Sequence, residues 1–280
     1  MTAPQLIDQN PLGPTRNSHP GSVPHLQYGF GPIPEGTPNH RIFLFDIDNC
    51  LYERSTMIHD MMQVNIHQYF KDTLDLDDEC AHNLHVDYYQ TYGLALEGLV
   101  RNHQVDALDY NLKIDDALDL ESVLSYNPKL REMLIRVREL GRFDLFWLVT
   151  NAYKNHALRV ISILGVADLF DGLTFCDYAQ YPIVCKPMTE FYYRLFDTLR
   201  VDKDDKEHLS HLYFVDDSGL NVAAAHDLGF GHVFHYLEMD ADYKKALQSP
   251  KFTEYYGKGD NKDKSKIKII RLILDLEKNI

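Results

Sequence analysis

The residues able to do chemistry stand at the ends of short apolar runs. In "RIFLFDIDNCLY" (41–52), five of the six residues from Ile42 to Ile47 are apolar, and the run carries Asp46 and Asp48 one residue apart. Two carboxylates closing a buried segment must be solvated, paired or bound to a cation. Two further apolar runs end in the same way, "FWLVTN" on Thr150 and Asn151 and "LYFVDD" on Asp216 and Asp217, and Lys186 opens the segment "KPMTEF". Together these are four acids, one lysine and a hydroxyl. Carboxylate oxygens suit Mg²⁺, which characteristically binds through one or two carboxylates plus substrate phosphate. The inventory describes a magnesium site beside a phosphate site.

Those residues share a site only if neighbouring strands of one sheet carry them. Five segments read as buried strands: "RIFLFDID" (41–48), "FDLFWLVTN" (143–151), "LTFCDY" (173–178), "HLYFVDDS" (211–218) and "HVFHY" (232–236). Near-continuous apolar strands have both faces covered, the signature of a parallel sheet between helices. In such a sheet ligands bind beyond the carboxyl ends of the strands, so the four groups converge on one edge. Helix signals lie between them. Asn127 is an N-cap with Pro128 at the first helical position and Gly141 beyond the end, and a proline stands just inside the start of 186–199. "GLNVAAAHDLGF" (219–230) follows the fourth strand, and "SKIKIIRLILDLEKNI" reads as a final amphipathic helix.

The alternation is broken once. Roughly 75 residues separate the first strand from the helix at 127, too many for a crossover, and they carry helical segments such as "STMIHDMMQVNIHQYFKDTL" and "DDECAHNLHVDYYQTYG". The expected fold class is therefore α/β: a doubly wound, mainly parallel Rossmann-like core (41–52 and 126–280) with an inserted helical cap (53–125) over Asp46 and Asp48. Residues 1–40 hold eight of the 12 prolines and are expected to be an extended or poorly ordered lead-in. "KGDNKDKSK" (258–266) reads as a solvated linker.

Composition narrows the partners. The formal net charge of -14 repels a nucleic-acid backbone and argues for a small-molecule substrate over a polymer. Four widely spaced cysteines form no C-x-x-C pair, which suggests reduced thiols in a cytoplasmic or nuclear compartment. No apolar run approaches the roughly 18 residues needed to cross a bilayer, so no membrane association is expected. A monomer or a homodimer fits equally.

"DIDNCL", "VTN", "CKP" and "FVDDSGLNVAAA" resemble, in order and spacing, the four motifs of the haloacid dehalogenase superfamily of phosphohydrolases. "DIDNCLY" with "YYQTYGLALEGL" is similar, more narrowly, to the pyrimidine 5'-nucleotidase branch. The resemblance implies Asp46 as a nucleophile forming an aspartyl-phosphate and Asp48 as a general acid and base, protonated part of the time at neutral pH. It implies Thr150 and Asn151 as donors to phosphate oxygens and Lys186 as the neutralising cation. Mg²⁺ would be held by Asp46, the backbone carbonyl of Asp48 and Asp217, with Asp216 beside them and Ser218 and Asn221 supporting the loop. Cys50 stands where the family commonly has threonine, a departure that touches the loop after the strand. Hydrolysis of UMP or CMP is the implied reaction; a sugar- or cofactor-phosphate phosphatase, a 2-haloacid dehalogenase and a non-catalytic phosphate-binding regulator are the rivals.

Each motif has a plainer reading in isolation. Asp-x-Asp can be a solvated helix cap, Thr150-Asn151 an N-cap pair, Lys186 a surface lysine and Asp216-Asp217 a capping acid beside an exposed one. Only their coincidence at strand ends outweighs this. His232 and His235 point to opposite faces of a strand and make a poor metal pair. "GFGPIPEG" follows no strand and is no dinucleotide loop. Cys50 reads as a packing residue, and Tyr88, Tyr89 and Tyr92 as cap core, with Tyr92 the candidate to stack on a base.

Overall fold

A computed structural model describes residues 19–35, 40–257 and 266–280. Strand β1 (Ile42–Phe45) is followed by four helices, α1 (Ile58–Leu74), α2 (Asp78–Tyr92), α3 (Ala95–Asn102) and α4 (Ala107–Lys113). From α5 (Pro128–Glu139) the alternation resumes with β2 (Leu145–Thr150), α6 (Lys154–Leu164), β3 (Gly172–Phe175), α7 (Thr189–Leu199), α8 (Lys206–Ser210), β4 (Leu212–Asp216), α9 (Gly219–Asp227) and β5 (His232–Tyr236). Then come α10 (Asp240–Leu247), α11 (Phe252–Tyr256), β6 (Lys268–Ile270) and α12 (Leu276–Asn279).

The strands form one parallel sheet in the order β3-β2-β1-β4-β5-β6. The chain winds outward from β1 to β3, then returns to the other side of β1 and winds outward again. That reversal opens a crevice at the carboxyl ends of β1 and β4, where ligands bind in sheets of this kind. Side chains alternate strictly between two cores. Phe43, Phe45, Phe146, Val215 and Phe234 pack with Leu130 and Leu134 of α5 and Val160 and Ile161 of α6. Ile42, Leu44, Trp147, Val149 and Phe214 pack with Tyr192 and Leu195 of α7 and Val222 of α9. Two covered faces explain why the strands read as continuous apolar runs.

The insertion has a core of its own, which meets the segment after β3, while Ile58, Leu118 and Leu120 join the core of the sheet. Tyr69, Phe70, Tyr88, Leu96 and Leu99 cluster with Cys176, Tyr178, Ile183 and Cys185 from the segment after β3. Asp77 caps α2 by accepting from the Cys80 N–H at 2.8 Å. Gly93 ends the helix at φ 81, and a Cβ there would lie 2.3 Å from Pro187 Cδ. Glycine therefore allows α2 to close against the Lys186-Pro187 backbone.

Three expectations differ from the structure. Within the lead-in, residues 19–35 are packed: Leu26 and Ile33 are buried, the Tyr28 N–H donates to Asp171 O at 2.8 Å and Leu173 N–H to Gly29 O at 3.0 Å. Its apolar residues follow no period, so they give no sequence signal, yet the edge of β3 satisfies their backbone. Residues 1–18 and 36–39 of the lead-in, and 258–265 of the charged linker, lie outside the described residues. The C-terminal segment is not one helix. Lys268–Ile270 pairs with Phe234–Tyr236 of β5, and Ile267 and Ile270 are buried there, so the β-branched "IKII" takes the partner that the open edge offers. Helix α7 begins at Thr189, later than expected, because Asn151 engages the Lys186 backbone on both sides, with Lys186 N–H to Asn151 Oδ1 and Asn151 Nδ2 to Lys186 O both at 2.8 Å.

Candidate active site

Asp46 follows β1 directly, and its N–H donates to Val215 O of β4 at 3.0 Å. That places its carboxylate on the floor of the crevice, almost wholly buried. Lys186 meets it there although it lies 140 residues along the chain. The ammonium is fully buried and donates to Asp46 Oδ1 at 2.8 Å, Asp216 Oδ2 at 2.6 Å and the Val149 carbonyl at 2.8 Å. Burial alone would favour the neutral amine; Asp216 and then Asp46 more than offset it and raise the pKa, so Lys186 is a fixed cation.

The two adjacent acids on β4 do different things. Asp216 is saturated: besides Lys186 it accepts from the Ser218 N–H at 2.8 Å and from Asn221 Nδ2 at 3.0 Å. It pins the loop that carries Asp217. His235 of β5 bonds the Asp217 carbonyl at 3.0 Å and the Tyr256 hydroxyl at 2.7 Å, a bracing role for a histidine whose spacing made it a poor metal ligand. The Asp217 carboxylate is partly open. Its pKa is raised to about 8, by burial first and then by Asp216, and Asp46 is raised by the same two causes. Asp46, Asp216 and Asp217 each present a ligand atom within 4.8 Å of the others. Three carboxylates around one ammonium leave the cluster short of positive charge, and an all-oxygen donor set is that of a hard divalent cation. The residues fit Mg²⁺.

Asp48 departs from its expected ionisation. Burial would raise its pKa, but the His156 imidazole and then the Tyr52 hydroxyl lower it below the usual carboxylate value. His156 Nε2 lies 2.7 Å from Asp48 Oδ1, and Tyr52 OH donates to the same oxygen at 2.8 Å. The His156 pKa is raised in turn; burial opposes this and the Asp48 charge overrides it. Both directions favour the charged form of Asp48, against the partly protonated acid expected there. The nearby carboxylates expected to keep a proton on Asp48 are outweighed by a histidine that no motif indicated.

The remaining candidates separate. Thr150 is buried at the end of β2, its Oγ1 accepting from the Ala152 N–H at 3.0 Å while its own proton stays available. Asn151 has its side chain committed to the Lys186 backbone, which makes it a brace for the lysine; the expected side-chain donation to phosphate is not what its bonds do. Cys50 is buried with Sγ 3.9 Å from Val215 O, as a packing residue would be. The Tyr92 side chain turns to the insertion, its ring under Arg101 and its hydroxyl accepting from Asn102 at 3.5 Å, while its backbone carbonyl lies 3.6 Å from Cys185 Sγ. Tyr89, one turn earlier on α2, is the tyrosine beside the acids: burial and then the charge of Asp217 push its pKa up. Residues three apart share one face of a helix, so helical spacing alone did not separate Tyr89 from Tyr92.

The family model for haloacid dehalogenase-like hydrolases matches residues 40–229. Phosphate metabolism protein 8 of Saccharomyces cerevisiae is 39% identical over 265 residues, covering 92% of this chain and 78% of that protein. Similar solved structures include the L-2-haloacid dehalogenase of Xanthobacter autotrophicus (15% identity, 85% of this chain and 97% of that chain, TM-score 0.44). Another is a HAD family enzyme of Bacteroides thetaiotaomicron (17% identity, 74% and 98%, TM-score 0.43). The chain belongs to the haloacid dehalogenase-like hydrolases.

Proposed function

We propose that this hydrolase is a magnesium-dependent phosphomonoesterase whose substrates are pyrimidine nucleoside 5'-monophosphates, UMP and CMP. The observation that carries the phosphatase reading is the arrangement in the crevice, with Asp46 and Asp48 on one loop, Lys186 bridging Asp46 and Asp216, and Asp217 open beside them. The second aspartate and the acidic pair on β4 argue against a metal-free dehalogenase. The nucleotide preference rests on the likeness of "DIDNCLY" and "YYQTYGLALEGL" to the pyrimidine nucleotidase branch.

The chemistry follows from the groups present. An oxygen of Asp46 attacks phosphorus, the phosphorus–oxygen ester bond breaks, and the departing nucleoside oxygen takes a proton from Asp48, which takes one up as the anionic ester binds beside it and favours its neutral form. Water then attacks phosphorus with Asp48 as base, the bond to Asp46 breaks, and phosphate leaves with Asp46 and the Asp48 proton restored. The Thr150 hydroxyl holds a phosphoryl oxygen, Lys186 neutralises charge on Asp46 and the transferring group as a fixed cation, and Asn151 fixes Lys186. Asp46, Asp217 and the Asp48 carbonyl, with Asp216 beside them, would hold Mg²⁺, which would supply charge neutralisation for the phosphoryl oxygens. Helix α2 lies above as a cap, with Tyr89 facing the leaving group and excluding bulk water.

The test is phosphate release from 5'- and 3'-nucleoside monophosphates and sugar phosphates, with Mg²⁺ and with EDTA. Mg²⁺-dependent release from UMP and CMP, and little from AMP or sugar phosphates, is the expected result. Activity confined to another ester would keep the phosphatase and discard the nucleotide; activity unaffected by EDTA would remove the metal.

A further inference from the structure

His156 is an expensive residue to bury, and the fold alone gives no reason for it. It sits in the first turn of α6, beside Ala157, Leu158 and Val160, which belong to the apolar core. It is wholly inaccessible, and its Nδ1 has no hydrogen-bond partner among the described residues. A leucine there would leave no polar atom unmet. The one hydrogen bond it makes runs from Nε2 to Asp48 Oδ1, at 2.7 Å. Asp115, from the loop after α4, is buried behind it with Oδ2 unpaired and its charge acting on the ring.

Asp48 is held from one side only. Tyr52 and His156 both converge on Oδ1, while among the described residues no hydrogen bond falls on Oδ2. The carboxylate is partly accessible, at 22%, whereas the histidine is at 0%. Its free oxygen is therefore the one on the open side. A carboxylic acid with two donors already on one oxygen carries its proton on the other. Without those donors the group can rotate and exchange its oxygens, and the acid proton is no longer aimed.

We propose that His156, seconded by Tyr52, is a positioning residue for the general acid: it occupies Asp48 Oδ1 and so reserves Oδ2 for the oxygen that leaves phosphorus. This rests on the phosphatase reading, in which Asp48 protonates that oxygen. His156 touches no substrate atom. Its removal therefore affects only the step that needs a proton delivered, and the need for that proton depends on the leaving group. An alkoxide leaves poorly without one, and a dinitrophenolate leaves readily.

The experiment compares kcat/KM of wild type, His156→Leu, His156→Gln, Tyr52→Phe and Asp48→Asn on an alkyl phosphate and on dinitrophenyl phosphate. This ratio reports the steps up to departure of the leaving group. His156→Leu is expected to lose about 100-fold on the alkyl ester and less than about threefold on the aryl ester; His156→Gln, which restores an N–H near the position of Nε2, recovers most of the loss. Equal losses on both esters would assign the histidine a structural role and overturn the proposal, as would full activity of His156→Leu on the alkyl ester. Should His156→Leu not fold, Tyr52→Phe against His156→Gln gives the same contrast between esters, and its absence overturns the proposal equally. Asp48→Asn separates the two levels. A leaving-group dependence in Asp48→Asn without one in the His156 variants removes this inference alone; none in Asp48→Asn removes the acid assignment beneath it, and the inference with it.

Discussion

Lys186 is buried among three oxygens, two of them on carboxylates that nothing else neutralises in the described residues. Lys186→Met fills a similar volume but leaves Asp46 and Asp216 as unpaired buried charges. The expected cost is about 3–5 kcal/mol, read from chemical denaturation, with loss of turnover. Tyr89 and Tyr92 separate in the opposite sense. Tyr89→Ala is expected to raise KM several-fold at near-normal stability, whereas Tyr92→Ala lowers the melting temperature and leaves kcat/KM within about threefold; the reverse pattern in steady-state kinetics would return Tyr92 to the pocket. At this scale the sequence was legible wherever a polar residue ended an apolar run, as Asp46, Lys186 and Asp217 do. It was silent on His156, because a lone histidine among core residues of a helix looks like packing and its partner lies 108 residues away. The same histidine turns the Asp48 pKa downward, against the direction expected from the neighbouring acids.

Helices α1 and α2 pack through a histidine that must stay neutral. His85 is buried, 5.6 Å from Phe70 between ring centroids, and its pKa falls from 6.5 to about 4, through burial first and then through His82 and the other histidines near it. The folded pKa lies below the unfolded one, so protons favour the unfolded chain. This contribution to stability is full above about 6.5 and is lost as pH falls toward about 4. His85→Leu is expected to flatten the melting temperature across that window by an amount worth roughly 1–2 kcal/mol, measured against wild type by calorimetry; parallel curves would contradict it. Among the elements, the first five strands were legible because burial on both faces leaves mainly apolar residues, and α5 because Asn127 and Pro128 mark its start. Strand β6 was not. "IKII" fits a helix face and an edge strand alike, and only the exposed edge of β5 decides between them.

The sheet order brings the ends of β1, β2 and β4 side by side, and the insertion leaves and re-enters the core around them. That arrangement was readable from the strand–helix alternation and its single long interruption. The strap at 19–35 was not, since its contacts with β3 follow no period. With a net charge of -14 the molecule concentrates acids in the crevice as elsewhere, and a divalent cation there should stabilise the whole fold. At about 100 times its dissociation constant, Mg²⁺ is expected to add about 2.7 kcal/mol, seen as a rise in melting temperature that Asp217→Asn abolishes. An equal rise in the variant would place the cation elsewhere. All of this converges on Asp46 as the atom donor that forms the phosphoenzyme. The most direct measurement is the Mg²⁺-dependent rate of phosphate release by wild type and by Asp46→Asn, with the circular dichroism of both recorded. The account predicts a loss of roughly four orders of magnitude, about 5.5 kcal/mol of transition-state stabilisation, in a variant that remains folded. Turnover that survives the substitution would contradict it.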